Sequence, residues 1–327
     1  MRSLNVNNVV DLKPTLLLVD DEMFNLEILE EYLDDYGYQT DSAANGREAC
    51  DLMRTNPDKY QVVLLDRMMP EMGGMEVIQF MKQDPRLSEI PVIMQTAKAT
   101  RQDIEEGLEA GILYYLTKPF AKEELFSIVD TAARYFYECQ DLHQLVRTTI
   151  ADGELEMSPS GTMEFHTVEQ ARQIAVDLAT LAADPYRTVV GLQELLVNAV
   201  EHGNLGIGFE LKTALQQKGN WLAEIEKRLQ LPENQAKKAW VDYRVEDGAI
   251  RYEVTDNGQG FNYREFLEIN TERNLNIFGR GLAIARVLSF DKLVYTDPGN
   301  IVMVEAKASP HLCSSPLSHK DSGTGGL

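Results

Sequence analysis

Five polar residues in the N-terminal half are of the types that together handle phosphate. Each ends or closely follows an apolar run: Asp20, Asp21, Asp66, Thr96 and Lys118. Clustered carboxylates repel one another unless a hard cation lies among them, and Mg2+ prefers oxygen ligands. Lys118 can contact a phosphoryl group as a point charge, and the Thr96 hydroxyl can turn towards that group once it is attached to Asp66. The set predicts a magnesium site with Asp66 as the phosphorylated nucleophile.

Single members of this set also have ordinary interpretations. An acidic pair after a strand is often a helix cap, and a Lys-Pro step such as Lys118-Pro119 is often a turn. The order of all five residues along the chain favours the phosphate site.

In the C-terminal half, a helical stretch carries a second group of reactive side chains. Its apolar stripe is Leu192, Leu195, Leu196, Ala199 and Val200, which leaves Glu194, Asn198, Glu201 and His202 together on another face. An asparagine can give a neutral oxygen to a nucleotide-bound Mg2+, and a glutamate can polarise water or accept a hydroxyl proton. Taken alone, the helix can equally be structural.

Two glycine motifs follow this helix. The run YEVTDNGQGF ends a strand pattern at Asp256, whose carboxylate can accept from an exocyclic amine such as that of adenine, while Gly258 and Gly260 allow close backbone approach. Gly279 and Gly281 open a helix whose free N–H groups favour phosphate. DNG alone is usually a turn, and GRGL is too short for a dinucleotide fingerprint. The ordered trio predicts an ATP site without a P-loop.

The elements that must position these residues differ between the two halves. Residues 15–137 alternate apolar runs with helical patterns, which predicts a doubly wound parallel sheet with its ligands at the carboxyl ends of the strands. From Ala121 the helical pattern continues, with an apolar seam of Leu125, Val129, Ala132, Phe136, Cys139 and Val146. Two uses of the seam remain open beyond Phe136, pairing in a homodimer or packing within the chain. Turn formers at 152–161 end the pattern.

Composition limits the classes of protein. The 327 residues are 44% hydrophobic, enough for two domain cores, and no apolar stretch approaches the roughly 20 residues of a membrane span. A net charge of -21 disfavours nucleic-acid binding. Three scattered cysteines and an N-terminus without signal-peptide features predict a cytoplasmic protein.

Residues 15–137 resemble a response-regulator receiver domain, because every signature position of that family is present. The resemblance implies a five-stranded receiver sheet in which Asp20, Asp21 and Asp66 hold magnesium. Asp66 would accept its phosphoryl group from a histidine kinase or a phosphotransfer protein. Thr96 and Lys118 would be the switch pair. Tyr115 falls at the aromatic switch position, although it also fits a half-buried strand tyrosine.

Residues 163–308 resemble the GHKL ATPase superfamily, most closely its anti-sigma-factor serine kinase branch. The implied fold is an α/β sandwich with a mixed sheet, and the implied ligands are ATP and Mg2+. Glu194 would be the general base, Asn198 the magnesium ligand and Asp256 the adenine reader. The implied nucleotide contacts are Gly258, Gly260, Gly279 and Gly281, with His202 and Arg280 as phosphate contacts. The segment at 204–240 departs from the family as an inserted helical element.

These observations predict a response regulator whose phosphorylation controls a serine/threonine kinase acting on a STAS-type anti-anti-sigma partner. One alternative is a module that sequesters a sigma factor or antagonist with little phosphotransfer. A less favoured alternative is a histidine kinase, for which His143 is the only acceptor, in a sequence context that lacks the expected acidic residue and proline. The predicted organisation is an extension at 1–14, the receiver at 15–137, a connector at 138–162, the ATP domain at 163–308 and a disordered tail at 309–327.

Overall fold

The protein is described from a computed structural model. It describes residues 13–97, 101–112, 114–153, 157–208, 211–212, 214–215, 219–264 and 281–313. The chain divides into two compact units, one of residues 1–144 with 262–288 and one of residues 145–261 with 289–327. No helix within the described ranges is long and apolar enough to cross a membrane.

The first unit contains a parallel five-stranded sheet in the order β2-β1-β3-β4-β5. Its strands are β1 (Thr15–Val19), β2 (Gln39–Ala43), β3 (Val62–Asp66), β4 (Val92–Thr96) and β5 (Tyr114–Thr117). Its helices are α1 (Met23–Asp34), α2 (Gly46–Thr55), α3 (Gly74–Met81), α4 (Pro85–Ser88) and α5 (Arg101–Glu109). The doubly wound sheet predicted from the sequence is confirmed.

Burial explains why this sheet forms. Leu16, Leu17 and Leu18 of β1 are fully buried, and β3 is buried except at its last residue, as expected for central strands covered on both faces. The parallel register then brings the carboxyl ends of the strands to one edge. Asp20, Asp66 and Thr96 lie at that edge because each stands where its strand ends.

A single helix, α6 (Lys122–Asp152), forms the connector. Val129 and Val146 of the apolar seam are 0% exposed, and Phe136 packs against the core of the first unit. The seam is therefore covered within one chain, which removes the reason for expecting it to pair two chains. The homodimer remains a prediction without this support.

The second unit contains a sheet in the order β6-β7-β8-β10-β9. Its strands are β6 (Ser160–Phe165), β7 (Ala239–Glu246), β8 (Ala249–Asp256), β9 (Lys292–Thr296) and β10 (Ile301–Lys307). The α/β class is confirmed, but every described strand pair is antiparallel, where a mixed sheet was predicted. Tight turns make hairpins of β7–β8 and β9–β10, with positive φ angles at Asp247 and Gly248 in the first turn and at Gly299 in the second.

The second unit also contains two long helices. They are α7 (Val168–Ala179) and α8 (Pro185–Asn198), and a π-helical turn at Ala199–Asn204 continues α8. Tyr252 of β8 donates its hydroxyl proton to the Leu178 carbonyl of α7 over 3.1 Å, which joins sheet to helix. The remaining described helices are α9 (Trp221–Leu229), α10 (Pro232–Gln235) and α12 (Pro310–Cys313) of the second unit, and α11 (Gly281–Ala283, continued by a π-helical turn at Ile284–Ser289), which falls within residues 262–288 of the first unit except for Ser289.

Candidate functional site

The acidic edge of the first unit is organised around a lysine. Lys118 Nζ lies 2.6 Å from Asp20 Oδ2 and 2.5 Å from Asp66 Oδ1. Burial alone would lower the pKa of Lys118, but its hydrogen bonds to Asp20 and Asp66 outweigh burial and raise it. Lys118 therefore stays charged and offsets the repulsion between the two carboxylates.

The other carboxylate oxygens are held by local donors. Asp20 Oδ1 accepts from the Glu22 backbone N–H and from Asn25 Nδ2, both at 3.0 Å, and Asp66 Oδ2 accepts from the Met68 N–H at 2.7 Å. These bonds fix both carboxylates at the strand ends.

The oxygen donors at this edge suit Mg2+ chemically. Asp20 is buried, Asp66 is half-buried and Asp21 is exposed, and within the described ranges no three acidic, histidine or cysteine residues form a metal cluster. The structure brings Asp20 and Asp66 together through Lys118. A three-aspartate magnesium site including Asp21 remains a prediction.

Of the two predicted switch residues, Thr96 lies on β4, next to the strand of Asp66, and Tyr115 lies on β5, one strand further away. Thr96 is buried, and its carbonyl accepts from the Lys118 backbone N–H at 2.8 Å. Tyr115 is also buried, and its hydroxyl donates to the Asp103 carbonyl of α5 over 3.3 Å. A Cβ atom at Gly107 would lie 1.5 Å from that hydroxyl oxygen, so the glycine makes room for the inward tyrosine. Tyr115 thus connects β5 to α5.

Sequence reasoning missed Arg67, which directly follows the acceptor. Its guanidinium lies 2.7 Å from Asp103 Oδ1 and 3.6 Å from Glu106 Oε2, both on α5. A change of charge at Asp66 would therefore take place directly next to Arg67, which is ion-paired to α5. Asp103 and Glu106 come 36 and 39 residues after Arg67, so no local sequence pattern indicates these ion pairs.

Sequence reasoning also missed Gln95 of β4. Its side chain is 0% exposed, and neither its amide oxygen nor its amide nitrogen has a hydrogen-bond partner in the described chain. Gln95 is in register with Asp66 of β3, and neighbours in register on parallel strands share a face of the sheet. The Gln95 amide, without a hydrogen-bond partner among the described residues, therefore lies beside Asp66, the predicted phosphorylation site.

We expect Gln95→Leu to raise the free energy of unfolding by about 1–3 kcal/mol, because an unpaired buried amide costs that much and leucine has a similar volume. Chemical denaturation followed by far-UV circular dichroism measures the change. Gln102→Leu, at an exposed position of α5, is the control and should change stability little. A destabilised Gln95→Leu protein would show that the amide has a stabilising partner.

In the second unit, Asp256 ends β8 and lies against the end of the α8 segment. A Cβ atom at Gly203 would lie 2.3 Å from the Asp256 carboxylate carbon, so only glycine fits there. The Gly258 N–H donates to Asp256 Oδ1 over 2.7 Å. The carboxylate predicted to read adenine is therefore held between two of the predicted motifs.

The motif glycines have packing roles within the protein itself. A Cβ atom at Gly258 would meet the Gly203 carbonyl oxygen at 2.4 Å, and one at Gly260 would meet the Pro298 carbonyl oxygen at 2.3 Å. Gly260 also has a φ of 75°, which favours glycine. Gly281 begins α11 as predicted, whereas Gly279 and Arg280 lie outside the described residues.

The apolar stripe of α8 is confirmed, since Leu192, Leu195 and Leu196 are buried. Glu194 and Asn198 are half-buried on the same helix, four residues apart and therefore neighbours on one face. The predicted face does not extend to Glu201, because the π-helical turn interrupts the α-helical spacing. Glu201 is 0% exposed and pairs with Lys212 over 2.7 Å.

The His202 ring contacts the protein backbone. Burial, together with the nearby charge of Lys212, lowers its pKa to about 4, so the imidazole is neutral at pH 7. Its Nδ1 faces the Ile207 carbonyl, which can only accept, so Nδ1 carries the proton. The remaining Nε2 can accept but cannot donate to a phosphate. The predicted phosphate contact of His202 stays a prediction.

Burial raises the pKa of Asp256 to about 6, although the Gly258 N–H opposes that shift. The folded state thus holds the proton more tightly than the unfolded chain, and stability falls as pH rises from about 4 through about 6. At pH 7 the penalty is fully present.

We expect Asp256→Asn to raise the free energy of unfolding of the nucleotide-free protein at pH 7.5 by about 2 kcal/mol, allowing for partial solvent screening. The gain should disappear at pH 4, where the wild-type carboxyl is largely protonated. Denaturant titrations at both pH values measure it. Asp247→Asn, in the turn that follows β7, is the control, and an equal gain at both pH values would contradict the pKa assignment.

Family models match both units. Residues 16–130 match the response regulator receiver domain, and residues 162–305 match the histidine kinase-like ATPase domain. The polar-differentiation response regulator DivK of Brucella anthropi is 35% identical over 108 residues, which cover 33% of this chain and 85% of that protein. The chain belongs to the response-regulator family. This response regulator carries a histidine kinase-like ATPase domain as its second unit.

Further relatives are transcriptional regulators and receiver-domain structures. A probable transcriptional regulator, ycf29 of Porphyra purpurea, is 37% identical over 114 residues, covering 35% of this chain and 54% of that protein. The chain spans 51–65% of the length of this and two similar transcriptional regulators. A response regulator structure from Chloroflexus aurantiacus is 32% identical with a TM-score of 0.36, covering 38% of this chain and 99% of that one.

Proposed function

We propose that this response regulator couples phosphorylation of Asp66 to an ATP-dependent serine/threonine kinase activity of its second unit. The observation that supports the proposal is the presence of two separate arrangements of predicted site residues in one chain. One is the Lys118 bridge between Asp20 and Asp66, and the other is Asp256 held between Gly203 and Gly258.

In the first unit, an Asp66 oxygen attacks the phosphorus of a phosphohistidine on a histidine kinase or phosphotransfer protein. The P–N bond to the imidazole breaks, and the electron pair returns to that ring. Lys118 neutralises the added charge, and Thr96 hydrogen-bonds the phosphoryl group. Mg2+, held by Asp20, Asp21 and Asp66, would supply further charge neutralisation.

In the second unit, Asp256 would accept a hydrogen bond from the adenine amino group, and Asn198 would offer an oxygen to a Mg2+ bound with the nucleotide. Glu194 accepts the proton of a serine or threonine hydroxyl as that oxygen attacks the γ-phosphorus, the bond from the γ-phosphorus to the β,γ-bridging oxygen breaks, and ADP leaves with that electron pair. We propose a STAS-type anti-anti-sigma protein as the substrate, with a sigma factor as a further partner.

The histidine kinase alternative loses support from His143. This residue is 5% exposed, and its Nδ1 lies 3.2 Å from Glu89 Oε1. Gln140 donates to the other Glu89 oxygen over 2.7 Å, so both α6 residues are tied to the end of α4. A phosphoaccepting histidine needs an accessible imidazole nitrogen, which His143 does not offer.

The proposal is tested by incubating the full chain with γ-labelled ATP and Mg2+ and each STAS-domain protein of the same cell. Label that appears on a serine or threonine of one STAS protein supports the kinase. A stable complex without label supports the alternative of a sequestering module. Neither label nor complex with any STAS protein would overturn the proposed partner class.

A further inference from the structure

The inserted segment between the π-helical turn and β7 holds the end of that turn. Arg228 of α9 donates through one guanidinium nitrogen to the carbonyls of Leu205 and Gly206, at 2.8 and 3.0 Å. Glu224, one turn earlier, fixes the guanidinium through a 2.9 Å bond to its Nε. These carbonyls directly follow the turn and would otherwise lack α-helical partners.

A second cationic side chain of the inserted segment, that of Lys237, binds the carbonyl of Asn204, one residue before Leu205. Lys237 Nζ donates to the Asn204 carbonyl over 2.8 Å and to Asn234 Oδ1 over 2.9 Å. Asn234 is buried, and its Nδ2 donates to the Arg228 carbonyl over 3.0 Å. Arg228, Asn234 and Lys237 therefore form one hydrogen-bonded network around the end of the turn.

The same turn holds the loop that carries the base-reading carboxylate. Asn204 is 1% exposed, and its Oδ1 accepts from the Asn257 backbone N–H over 2.9 Å. Asn257 Oδ1 in turn accepts from the Lys238 backbone N–H at 3.0 Å. Asn257 directly follows Asp256, so both bonds fix the backbone next to the predicted adenine contact.

Burial of the Asn204 amide group is unfavourable to the free energy of folding. Its Nδ2 is buried without a hydrogen-bond partner in the described chain, and such a donor is unfavourable. An apolar residue of similar size at position 204 would avoid this cost, but it could not accept the hydrogen bond from the DNG loop that Asn204 Oδ1 accepts.

We propose that Asn204 is a positioning residue for the base-reading loop, and that the insertion, through Arg228 and Lys237, is a clamp that keeps Asn204 in place. The clamp acts on nucleotide affinity and base selectivity, since Asn204 holds the loop of Asp256. This inference rests on the proposed ATP site. It assigns a role to the segment at 204–240, which the sequence predicts to be an inserted helical element.

The alternative is that the network only stabilises the fold. A fold-stabilising role predicts a lower free energy of unfolding, with ATP and GTP affinities affected alike. A positioning role predicts a loss that depends on Asp256. The two roles therefore differ in a double-mutant cycle.

The experiment measures ATP and GTP dissociation constants of the full chain for wild type, Lys237→Met, Asp256→Asn and the double variant. We expect Lys237→Met to weaken ATP binding about 3- to 10-fold, the effect of one or two modest hydrogen bonds, with little change for GTP. The loss should vanish in the Asp256→Asn background. Lys237→Arg, which keeps a cationic donor, should restore part of the affinity.

Lys227→Met is the matched control, because Lys227 lies on α9 with its side chain 71% exposed. Arg228→Met is a second variant and should act in the same direction. Hydrogen exchange of the Asn257 amide, without nucleotide, should become faster in both variants. Unchanged ATP affinity and exchange in folded Lys237→Met, or equal losses for ATP and GTP, would overturn the clamp. A wild type that binds no ATP would overturn the nucleotide site together with the clamp.

Discussion

Replacing Asp66 with asparagine is expected to abolish phosphorylation of the receiver domain completely. Lys118 and Asp20 would remain, but an amide oxygen cannot form the acyl phosphate that the carboxylate forms. The measurement is incubation with a labelled phosphohistidine donor or a small-molecule phosphodonor, followed by assay of acid-stable, base-labile label.

The control for this change is Asp51→Asn, which alters an exposed aspartate of α2 and should leave labelling intact. Acyl phosphate retained in Asp66→Asn would place the acceptor elsewhere and would contradict the role derived from the Lys118 bridge.

Replacing Glu194 with glutamine is expected to reduce phosphoryl transfer to a protein hydroxyl by about 100- to 10,000-fold, the usual cost of losing a general base. ATP affinity should change little, because the amide keeps the size of the side chain and Glu194 is assigned to the hydroxyl proton and not to the nucleotide. Single-turnover transfer from labelled ATP measures the rate, and equilibrium binding measures the affinity.

Glu169→Gln, at the exposed start of α7, is the control for Glu194 and should retain full transfer. Equal losses of binding and transfer in Glu194→Gln would indicate that this residue positions the metal or the helix. Such a result would leave the general base unassigned.

The first unit was largely predictable because its signals are local. Four of its five strands contain nearly continuous apolar runs, and the run TLLLV coincides with β1. β2 has the polar sequence QTDSA and only one fully buried residue, so apolar patterning does not reveal it. Once the parallel order is known, the convergence of Asp20, Asp66 and Thr96 follows from the topology.

The second site was only partly predictable because its contacts are long-range. The glycine motifs indicated a ligand loop, yet Gly203 lies against Asp256 and Gly260 lies against Pro298, pairs separated by tens of residues. Helical periodicity likewise predicted that Glu201 would share a face with Glu194. A periodic α-helical pattern cannot show the π-helical turn at Ala199–Asn204, which changes the spacing along the helix.

The connector shows a different limit of sequence reasoning. An apolar seam predicts that a helix face is buried, but it does not identify the surface that buries it. In this protein Phe136 packs on the core of its own unit and Val146 is fully buried within one chain. The same pattern would have suited a dimer.

The central claim is that the state of Asp66 controls the ATP-dependent activity of the second unit. Its most direct test compares transfer of labelled phosphate from ATP to the STAS substrate by wild-type chain with and without a phosphoryl mimic on Asp66. Asp66→Asn treated in the same way is the control. We predict a several-fold to roughly hundred-fold change in wild type, the range of typical coupling energies, and no change in the variant. Identical rates with and without the mimic in wild type would contradict the claim.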